Sequence, residues 1–533
     1  MKFSIPDELK GMTLASMLED RAAAHPNRVA IAGMSAIGIE TRVTYAQLLW
    51  QGKKFGSALA ALGIKPGDRV GAMLANDAVI EFAQTIAGIH ALGGVFVPVN
   101  ARFAVEEVVY VVNKSGARAL VVRPDQAAKL SVVRDRMPDL HALIVLGSGK
   151  GSGEHAGSHD WHTIVEAADV GALKPSERGP EDMAEILFTS GTTAHPKGAV
   201  HTHRSAVCSS YSMAKSFALK PDDTLQTFMP MFTSGGARFF TCVVYAGCSM
   251  VFDPVLDVDQ VVARMLRERT TRYVGTSAFY IFLIERAAEV DIDLSNLDAL
   301  MFGGSPTTAE VVRRLTKTFP HVELRNLFAP TETGPAGTLI VSPEILDKPT
   351  SVGVPWPLVE VAIVDDDNNL LPANRNGEIC TRGPCVMTGY FGDPELSAEA
   401  LKGGWHHTGD VGYLDEDGYL YIMDRKKDMV IRGGHNIASL EVEQVLSQHD
   451  AVAEAAIVGV PHPKLGEDIH AFVIARGDLK PSAEELRAFC ADKLADYKIP
   501  RKISIVKELP RGPLGKVLKT ELREIAARSQ SGV

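Results

Sequence analysis

Helical and strand-like hydrophobic patterns alternate through the first part of the chain. Apolar residues recur at helical spacing and then give way to short apolar runs that are typical of buried strands. Strands that alternate with helices form parallel sheets covered by helices. The predicted order, up to about residue 146, is a helix near Tyr45–Leu62, a strand at Arg69–Leu74, a helix near Ile80–Leu92 and a strand at Val95–Val99.

A second alternating series runs from about residue 186 to residue 327. Each predicted strand is a short apolar run next to a longer segment of helical period. The two series together predict an α/β fold with two lobes. The strands of the second series are predicted at Ile186–Phe188, Ser249–Phe252, Tyr273–Gly275 and Ala299–Phe302.

Beyond residue 352 the pattern changes to short apolar stretches interrupted by Gly, Pro and Asp, which predicts a β-rich subdomain up to about residue 423. The polar, charged junction at 425–429 suits an exposed connection that moves. We therefore expect a large domain at 1–424 and a small mobile α+β domain at 425–533, with the hinge near 425–429. The small domain is predicted to contain helices at Ser439–Gln448 and Ala483–Leu494 and strands near Ala455–Val460 and His470–Ile474.

The composition is that of a folded globular protein, with 533 residues, 46% hydrophobic and 23% charged. A net charge of −10 argues against a nucleic-acid partner, because phosphate backbones are held by an excess of Lys and Arg. The six cysteines show no CxxC spacing, so we expect neither a zinc site nor disulfides, but reduced thiols in a cytoplasmic protein. The longest uncharged run, Phe82–Ala101, contains Gly and Pro and favours a buried helix and strand over a membrane span.

The segment from residue 186 to residue 198 reads ILFTSGTTAHPKG, an apolar strand that enters a run of small and hydroxyl-bearing residues. Glycines permit close backbone approach, hydroxyls donate hydrogen bonds, and a lysine adds positive charge, so such a loop can hold phosphate oxygens. It lacks the Gly-Lys-Ser/Thr of a Walker loop. Taken alone, a solvent-exposed Ser/Thr turn stays an alternative.

Further motifs follow in order: NLFAPTETG at 326–334, HTGD at 407–410, GYLDEDGYLYIMDRKKDMVIRGGHNI after it, and PRGPLGK at 510–516. Together with the Thr189 loop, this ordered set resembles the adenylate-forming superfamily of acyl-CoA and aryl-CoA synthetases, luciferases and nonribosomal adenylation domains. The resemblance covers nearly the whole chain and is strongest to acyl-CoA synthetases. It implies ATP, Mg²⁺ and coenzyme A as cofactor and co-substrates.

The resemblance also implies roles for individual residues. Thr331, Glu332 and Lys516 would be catalytic, with Glu332 as the Mg²⁺ ligand, a role that suits a carboxylate facing a hard cation. Asp410 and Arg425 would hold the ribose. The full set implied for ATP binding is Thr189, Ser190, Gly191, Thr192, Thr193, Lys197, Gly304, Ser305, Asn326, Phe328, Thr331, Asp410, Arg425 and Lys516.

For the other substrates, the resemblance implies that Gly433 and Gly434 lie along the pantetheine path of coenzyme A, and that Lys427 is the hinge residue. The acid pocket would be formed near 232–240, 277–279, 302–305 and 328–333, and the residues named for it are Phe232, Thr233, Ser277, Gly303 and Gly304. Three positions depart from the family pattern: Ala194 replaces a loop glycine, Phe328 a tyrosine, and Thr233 a histidine or aromatic residue. These departures leave the acid open.

The expected activity is ATP-dependent ligation of a carboxylic acid to coenzyme A through an acyl-adenylate, with release of pyrophosphate and then AMP. No acidic residue of the pocket segments suggests a partner for a substrate ammonium, which favours an aryl, alicyclic or fatty acid over an amino acid. Two alternatives stay open: loading of an acyl carrier protein, and a non-catalytic nucleotide-binding scaffold. A homodimer is also left open.

Overall fold

A computed structural model describes residues 3–147, 158–174, 176–189, 196–290, 292–303, 307, 309–433, 435–511 and 517–530. The chain divides into two compact units. The first comprises Met1–Val361 and Thr381–His406, and the second comprises Ala362–Cys380 and His407–Val533.

The structure contains both long helices and many short strands. The strands are β1 (Val29–Met34), β2 (Glu40–Thr44), β3 (Arg69–Met73), β4 (Val95–Pro98), β5 (Ala119–Val122), β6 (Ala142–Val145), β7 (Ser158–Asp160), β8 (Met183–Thr189), β9 (Lys197–Thr202), β10 (Thr224–Thr227), β11 (Ser249–Phe252), β12 (Arg272–Gly275), β13 (Ala299–Gly303), β14 (Glu323–Phe328), β15 (Thr338–Val341), β16 (Ser351–Pro355), β17 (Glu360–Val364), β18 (Gly377–Arg382), β19 (Gly389–Tyr390), β20 (His406–Leu414), β21 (Leu420–Arg425), β22 (Val430–Arg432), β23 (His435–Ile437), β24 (Val452–His462), β25 (Gly466–Ala475) and β26 (Lys502–Val506). The helices are α1 (Leu14–Ala24), α2 (Tyr45–Ala61), α3 (Val79–Leu92), α4 (Val105–Ser115), α5 (Pro124–Ser131), α6 (Trp161–Glu166), α7 (His203–Ser216), α8 (Ser234–Ala246), α9 (Val258–Glu268), α10 (Ser277–Glu289), α11 (Ala309–Thr318), α12 (Glu344–Asp347), α13 (Pro394–Ala400), α14 (Ser439–Leu446), α15 (Ala483–Ala491) and α16 (Lys519–Gln530).

One sheet of the first unit has the strand order β19-β9-β8-β4-β3-β5-β6-β7. The neighbouring strands in the part β8-β4-β3-β5-β6-β7 are parallel. The pairs β8–β9 and β9–β19 are antiparallel. The valine-rich strands are buried on both faces, as expected for a parallel sheet covered by helices. The strands and helices predicted between residues 45 and 99 are confirmed to within one residue at each end.

The other sheet of the first unit runs β16-β15-β14-β13-β12-β10-β11-β1-β2. Its central strands β14, β13, β12, β10, β11 and β1 are parallel. The prediction that placed the strand at 186–188 with this second series is wrong, because β8 pairs with β4 in the other sheet. Strands β1 and β2 from the start of the chain take the edge instead. Local periodicity identifies a strand but does not determine its partner.

The second unit combines two sheets with helices α14, α15 and α16. Strands β17, β18, β20 and β21 lie side by side in that order, and a second sheet has the order β23-β22-β25-β24 with β26 parallel to β25. The predicted α+β character is confirmed, although β24 and β25 are about twice as long as predicted. The division at residue 424 stays a prediction. The mixture of helices and strands agrees with the predicted α/β class, and the larger first unit and smaller second unit agree with the predicted large and small domains in their relative size.

Two composition-based expectations can be compared with the structure. All six cysteines are free and buried. In the described ranges, no helix is long and apolar enough to cross a membrane.

Candidate active site

The ends of the predicted phosphate loop face each other across an antiparallel pair of strands. Strands β8 and β9 pair with Thr189 opposite Lys197 and Phe188 opposite Gly198. A Cβ at Gly198 would lie 2.7 Å from Cγ2 of Ile186, so a larger residue there would force the Ile186 side chain to move. The loop itself, with Ser190, Gly191, Thr192, Thr193 and Ala194, lies outside the described residues.

Tyr390 links the lysine of this hairpin to the carboxylate of Glu332. Strand β19 adds to β9 with Tyr390 opposite Ala199. The Lys197 ammonium lies 5.5 Å from the centre of the Tyr390 ring, and the Tyr390 hydroxyl donates a 2.9 Å hydrogen bond to Oε1 of Glu332. Burial and the Glu332 carboxylate raise the pKa of the Tyr390 phenol well above its usual value, so it remains a donor. Two motifs far apart in the sequence therefore meet on one ring.

A short 3₁₀ turn, Thr331–Thr333, carries Glu332 and is held from two sides. The Thr331 hydroxyl lies 2.7 Å from the hydroxyl of Ser234, the first residue of α8. The Thr331 carbonyl lies 3.0 Å from Nε2 of His201 on β9. Burial, with a further contribution from Arg238, lowers the pKa of His201 to about 4, so the ring is neutral and Nε2 must carry the proton it donates.

A fully buried ion pair supports the same turn. Arg238 on α8 and Glu185 on β8 are joined by a 2.6 Å contact, and both side chains are 1% exposed. Nε of Arg238 donates a 3.1 Å hydrogen bond to the carbonyl of Gly334, which ends the turn in a left-handed conformation with φ +64°. Arg238 therefore bonds both to β8 and to the residue that ends the turn, and these charge-assisted bonds fix α8, β8 and the turn relative to one another.

The residues predicted for the acid pocket lie at the carboxyl ends of neighbouring parallel strands. Gly275 pairs with Phe302 and Gly303 with Leu327, so β12, β13 and β14 end at one edge. Ser277 lies just beyond the end of β12, and Phe328 is the last residue of β14. In open α/β sheets this edge is where ligands bind.

Three other predicted residues, Phe232, Thr233 and Asn326, are buried or hydrogen-bonded within the fold. Phe232 is buried. The Thr233 hydroxyl accepts a bond from the backbone N–H of Gly236 and thereby caps α8. The side-chain amide of Asn326 donates to the carbonyl of Ser351, which commits its nitrogen to the fold.

In the second unit, the two predicted ribose ligands are neighbours. Asp410 on β20 pairs directly with Arg425 on β21, and Nε of Arg425 lies 3.2 Å from Oδ1 of Asp410. The Lys427 carbonyl accepts a bond from Arg523 in the turn that follows β21. Gly433, with φ +59°, lies at the turn between the antiparallel strands β22 and β23.

The other predicted site residues, Gly304, Ser305, Gly434 and Lys516, lie outside the described residues. Sequence reasoning missed Tyr390 and His201, and it gave Ser234 and Arg238 no role beyond their place in the segment 232–240 predicted for the acid pocket. None of them lies in a motif with an evident chemical purpose, since a tyrosine after Gly389 or an arginine inside a helix is ordinary. These residues can be recognised only from their hydrogen-bond partners in the folded protein, which are Glu332, Thr331 and Gly334.

Comparisons with known proteins agree with this arrangement. The family model of AMP-binding enzymes matches residues 18–391, and that of the AMP-binding enzyme C-terminal domain matches residues 441–516. The long-chain-fatty-acid–CoA ligase FadD13 of Mycobacterium tuberculosis is 31% identical over 508 residues, covering 95% of this chain and 97% of that protein. The fatty acid–[acyl-carrier-protein] ligase ScoC of Streptomyces coeruleorubidus is 32% identical over 493 residues, covering 90% and 91%.

A solved structure gives the same result. The anthranilate CoA ligase AuaEII, in complex with anthranoyl-AMP, aligns with a TM-score of 0.87 and 25% identity over 98% of both chains. The chain therefore belongs to the AMP-binding enzyme family of adenylate-forming enzymes, which confirms the resemblance drawn from its motifs.

Proposed function

We propose that this protein is an AMP-forming acid–CoA ligase. The observation that carries the proposal is the contact series from Lys197 through Tyr390 to Glu332, which brings a cation and a carboxylate together beside the phosphate-loop hairpin. A cation at this place suits phosphate oxygens, and a carboxylate suits the hard cation that accompanies ATP. The close similarity to acid–thiol ligases supports the same reading.

The residues at this site fit Mg²⁺ held jointly with the nucleotide. In the part of the chain that the structure describes, no group of three or more His, Cys, Asp or Glu side chains could hold a metal ion. Mg²⁺ keeps several waters and is commonly bound through one or two carboxylates plus substrate phosphates, so Glu332 alone suffices on the protein side. When bound, the ion would neutralise phosphate charge. Lys197 and the Thr189 loop would bind the β- and γ-phosphates, and Thr331 the α-phosphate.

The chemistry requires no nucleophilic side chain from the protein. The carboxylate of the substrate acid attacks the α-phosphorus of ATP, forms the acyl-adenylate and releases pyrophosphate. The thiol of coenzyme A then attacks the acyl carbonyl and releases AMP. What the protein must do is align the attack and neutralise anions, which is the task assigned to Lys197, Thr331 and Lys516. Asp410 and Arg425 would hold the ribose.

The small domain has two proposed roles in the second step. Lys427 would act as the hinge for its movement, and Gly433 with Gly434 would leave room for the pantetheine arm. The left-handed backbone of Gly433 supports a requirement for glycine at this turn, although a hairpin would demand it as well. Replacing Lys427 by Pro should therefore slow thioester formation more than adenylation, measured as separate half-reactions.

The acid is proposed to be aryl, alicyclic or fatty. The side chains named for the pocket, Phe232, Thr233 and Ser277, carry no charge, and the first is buried. A panel of benzoates, cinnamates, alicyclic acids and fatty acids of graded length, assayed by pyrophosphate release, identifies the class. Activity restricted to amino acids would contradict it.

The acceptor needs its own test, because the similarity to ScoC favours an acyl carrier protein as a second candidate. The preferred acid, ATP and Mg²⁺ are incubated with coenzyme A or with holo carrier protein, and thioester is quantified by mass spectrometry. Thioester on coenzyme A supports the proposal. Thioester on carrier protein alone rejects it in favour of carrier loading, and ATP binding without any turnover would indicate a non-catalytic scaffold.

A further inference from the structure

One buried side chain, that of Asn76, joins the two sheets of the first unit. Asn76 is the first residue of the 3₁₀ turn Asn76–Ala78, which follows β3, and it is only 4% exposed. Its amide reaches the residues 228–231, called here the 228–231 segment, which lie between β10 of the other sheet and α8. A residue from one sheet therefore holds a connection of the other.

The Asn76 amide is hydrogen-bonded to four backbone groups. Nδ2 donates to the carbonyls of Phe228, Met229 and Asp253 at 3.2, 3.3 and 3.1 Å. Oδ1 accepts the backbone N–H of Met231 at 3.0 Å. An amide turned the other way would place its oxygen against the carbonyl oxygens and its nitrogen against the N–H, so only one orientation satisfies these groups. The amide thereby fixes the conformation of the segment.

The 228–231 segment leads directly into the residues proposed for the acid pocket. The Pro230 carbonyl accepts hydrogen bonds from the hydroxyl and the backbone N–H of Thr233, at 2.7 and 3.0 Å. A Cβ at Gly236 would lie 2.1 Å from the same carbonyl oxygen, so the first turn of α8 packs closely on the segment. A shift of the segment must therefore move this turn as well.

The same segment is in contact with two further parts of the candidate site. The centre of the Phe228 ring lies 6.1 Å from that of Phe279, which belongs to the range 277–279 predicted for the acid pocket. The first turn of α8 joins the segment to the Thr331 turn, because the Ser234 and Thr331 hydroxyls lie 2.7 Å apart. Displacement of the segment would change the acid pocket directly and the Thr331 turn only through α8.

We propose that Asn76 is a positioning residue for the carboxylic acid. It fixes the 228–231 segment and, through this segment, the pocket walls predicted at 232–240 and 277–279, and it thereby sets which acids the pocket accepts. The inference rests on the proposed function, because it concerns how that reaction selects its acid. Asn76 itself acts through the segment and has no assigned contact with the acid or the nucleotide.

Two variants remove the bonds of the amide to different extents. Asn76→Asp keeps the shape and the acceptor oxygen but, when ionised, has no hydrogen to donate, and Asn76→Ala removes the side chain beyond Cβ. In assays of pyrophosphate release, we expect each variant to raise KM for the acid tenfold or more and to change KM for ATP less than threefold. The preference for the best acid over its homologue one methylene longer should fall at least threefold, because a looser wall discriminates size less well.

Two controls separate this role from a general loss of stability. Asn113→Asp removes an exposed amide that donates to one backbone carbonyl, and Val111→Ala opens a cavity in the valine-rich core of the sheet that contains β3. Both should keep KM for the acid and the acid preference within twofold of the wild-type values. Parallel rises of KM for the acid and for ATP in the Asn76 variants, or a wild-type acid preference, would refute the positioning role.

Two methionines of the segment report its conformation without turnover. In the full chain labelled with [¹³C-methyl]methionine, the resonances assigned with Met229→Leu and Met231→Leu should shift in the Asn76 variants. The other methionines should keep their wild-type positions, which shows that the variant is folded, and either folded variant decides the test.

Wild-type positions of both resonances would overturn the inference. Unfolding of both variants would also overturn it, because Asn76 would then serve the fold as a whole. The proposed function fails differently, through the absence of acid-dependent pyrophosphate release in the wild-type protein, and the spectra would still decide whether Asn76 holds the segment.

Discussion

Replacement of Tyr390 by Phe removes one hydroxyl from the centre of the candidate site and keeps the ring beneath Lys197. The lost interaction is the 2.9 Å hydrogen bond to the Glu332 carboxylate. Hydrogen bonds to charged groups contribute about 1.5–3 kcal/mol, and the lower end applies because Tyr390 is partly exposed. If Tyr390 positions Glu332 for the metal–nucleotide complex, kcat/KM for ATP should fall roughly 10- to 30-fold.

The assay is pyrophosphate release at saturating acid, measured as a function of ATP and of Mg²⁺. We expect a weaker apparent affinity for Mg²⁺ together with the fall in kcat/KM, and a further loss of about 0.5–1 kcal/mol in Tyr390→Leu, which also removes the ring from Lys197. Tyr245→Phe is the matched control, because the Tyr245 hydroxyl donates to Glu8 at the surface. Equal activity of the Tyr390→Phe and Tyr245→Phe proteins would refute the positioning role.

Three further predictions concern stability, measured by urea denaturation. Arg238→Leu leaves Glu185 buried without its partner and should lower the free energy of unfolding by about 3–5 kcal/mol. The control Arg204→Leu breaks a surface ion pair and should lower it by less than about 1 kcal/mol. Similar losses in the two variants would contradict the account. Gly337→Ala would put a Cβ 1.9 Å from the Phe328 carbonyl oxygen and should destabilise the protein strongly, whereas Gly11→Ala, with open space around it, should not. Lowering the pH from 7 to 5.5 should destabilise the protein by about 1 kcal/mol per buried neutral histidine, because burial holds their folded pKa values at about 3 to 4 and the unfolded chain takes up protons first, near pH 6.5. The histidines concerned are His90, His201, His203 and His470, and a stability that rises over this interval would contradict the assignment.

Much of the fold follows from local pattern. Apolar runs of four to six residues predict β3, β4, β11 and β13 nearly to the residue, since a buried parallel strand leaves a continuous apolar stretch. The partner of each strand does not follow in the same way. Strand β8 is adjacent in sequence to the second series but pairs with β4, because pairing depends on packing of whole layers rather than on periodicity.

The candidate site, like the fold, is predicted only in part from the sequence. Thr331, Glu332, Asp410 and Arg425 are predicted from the family resemblance that the ordered motifs carry, and the structure shows Asp410 beside Arg425. Tyr390 is missed because a lone tyrosine is more often a packing residue than a ligand support. Only the addition of β19 to β9 brings it to Glu332.

The central claim is that ATP is cleaved at the α-phosphorus by a carboxylic acid. Acid-dependent exchange of labelled pyrophosphate into ATP, followed by analysis of the nucleotide products, tests it most directly. The account predicts exchange that requires the acid and Mg²⁺, yields AMP on addition of coenzyme A, and falls at least 100-fold in Glu332→Gln. Formation of ADP and phosphate, or exchange that is independent of every acid in the panel, would contradict it.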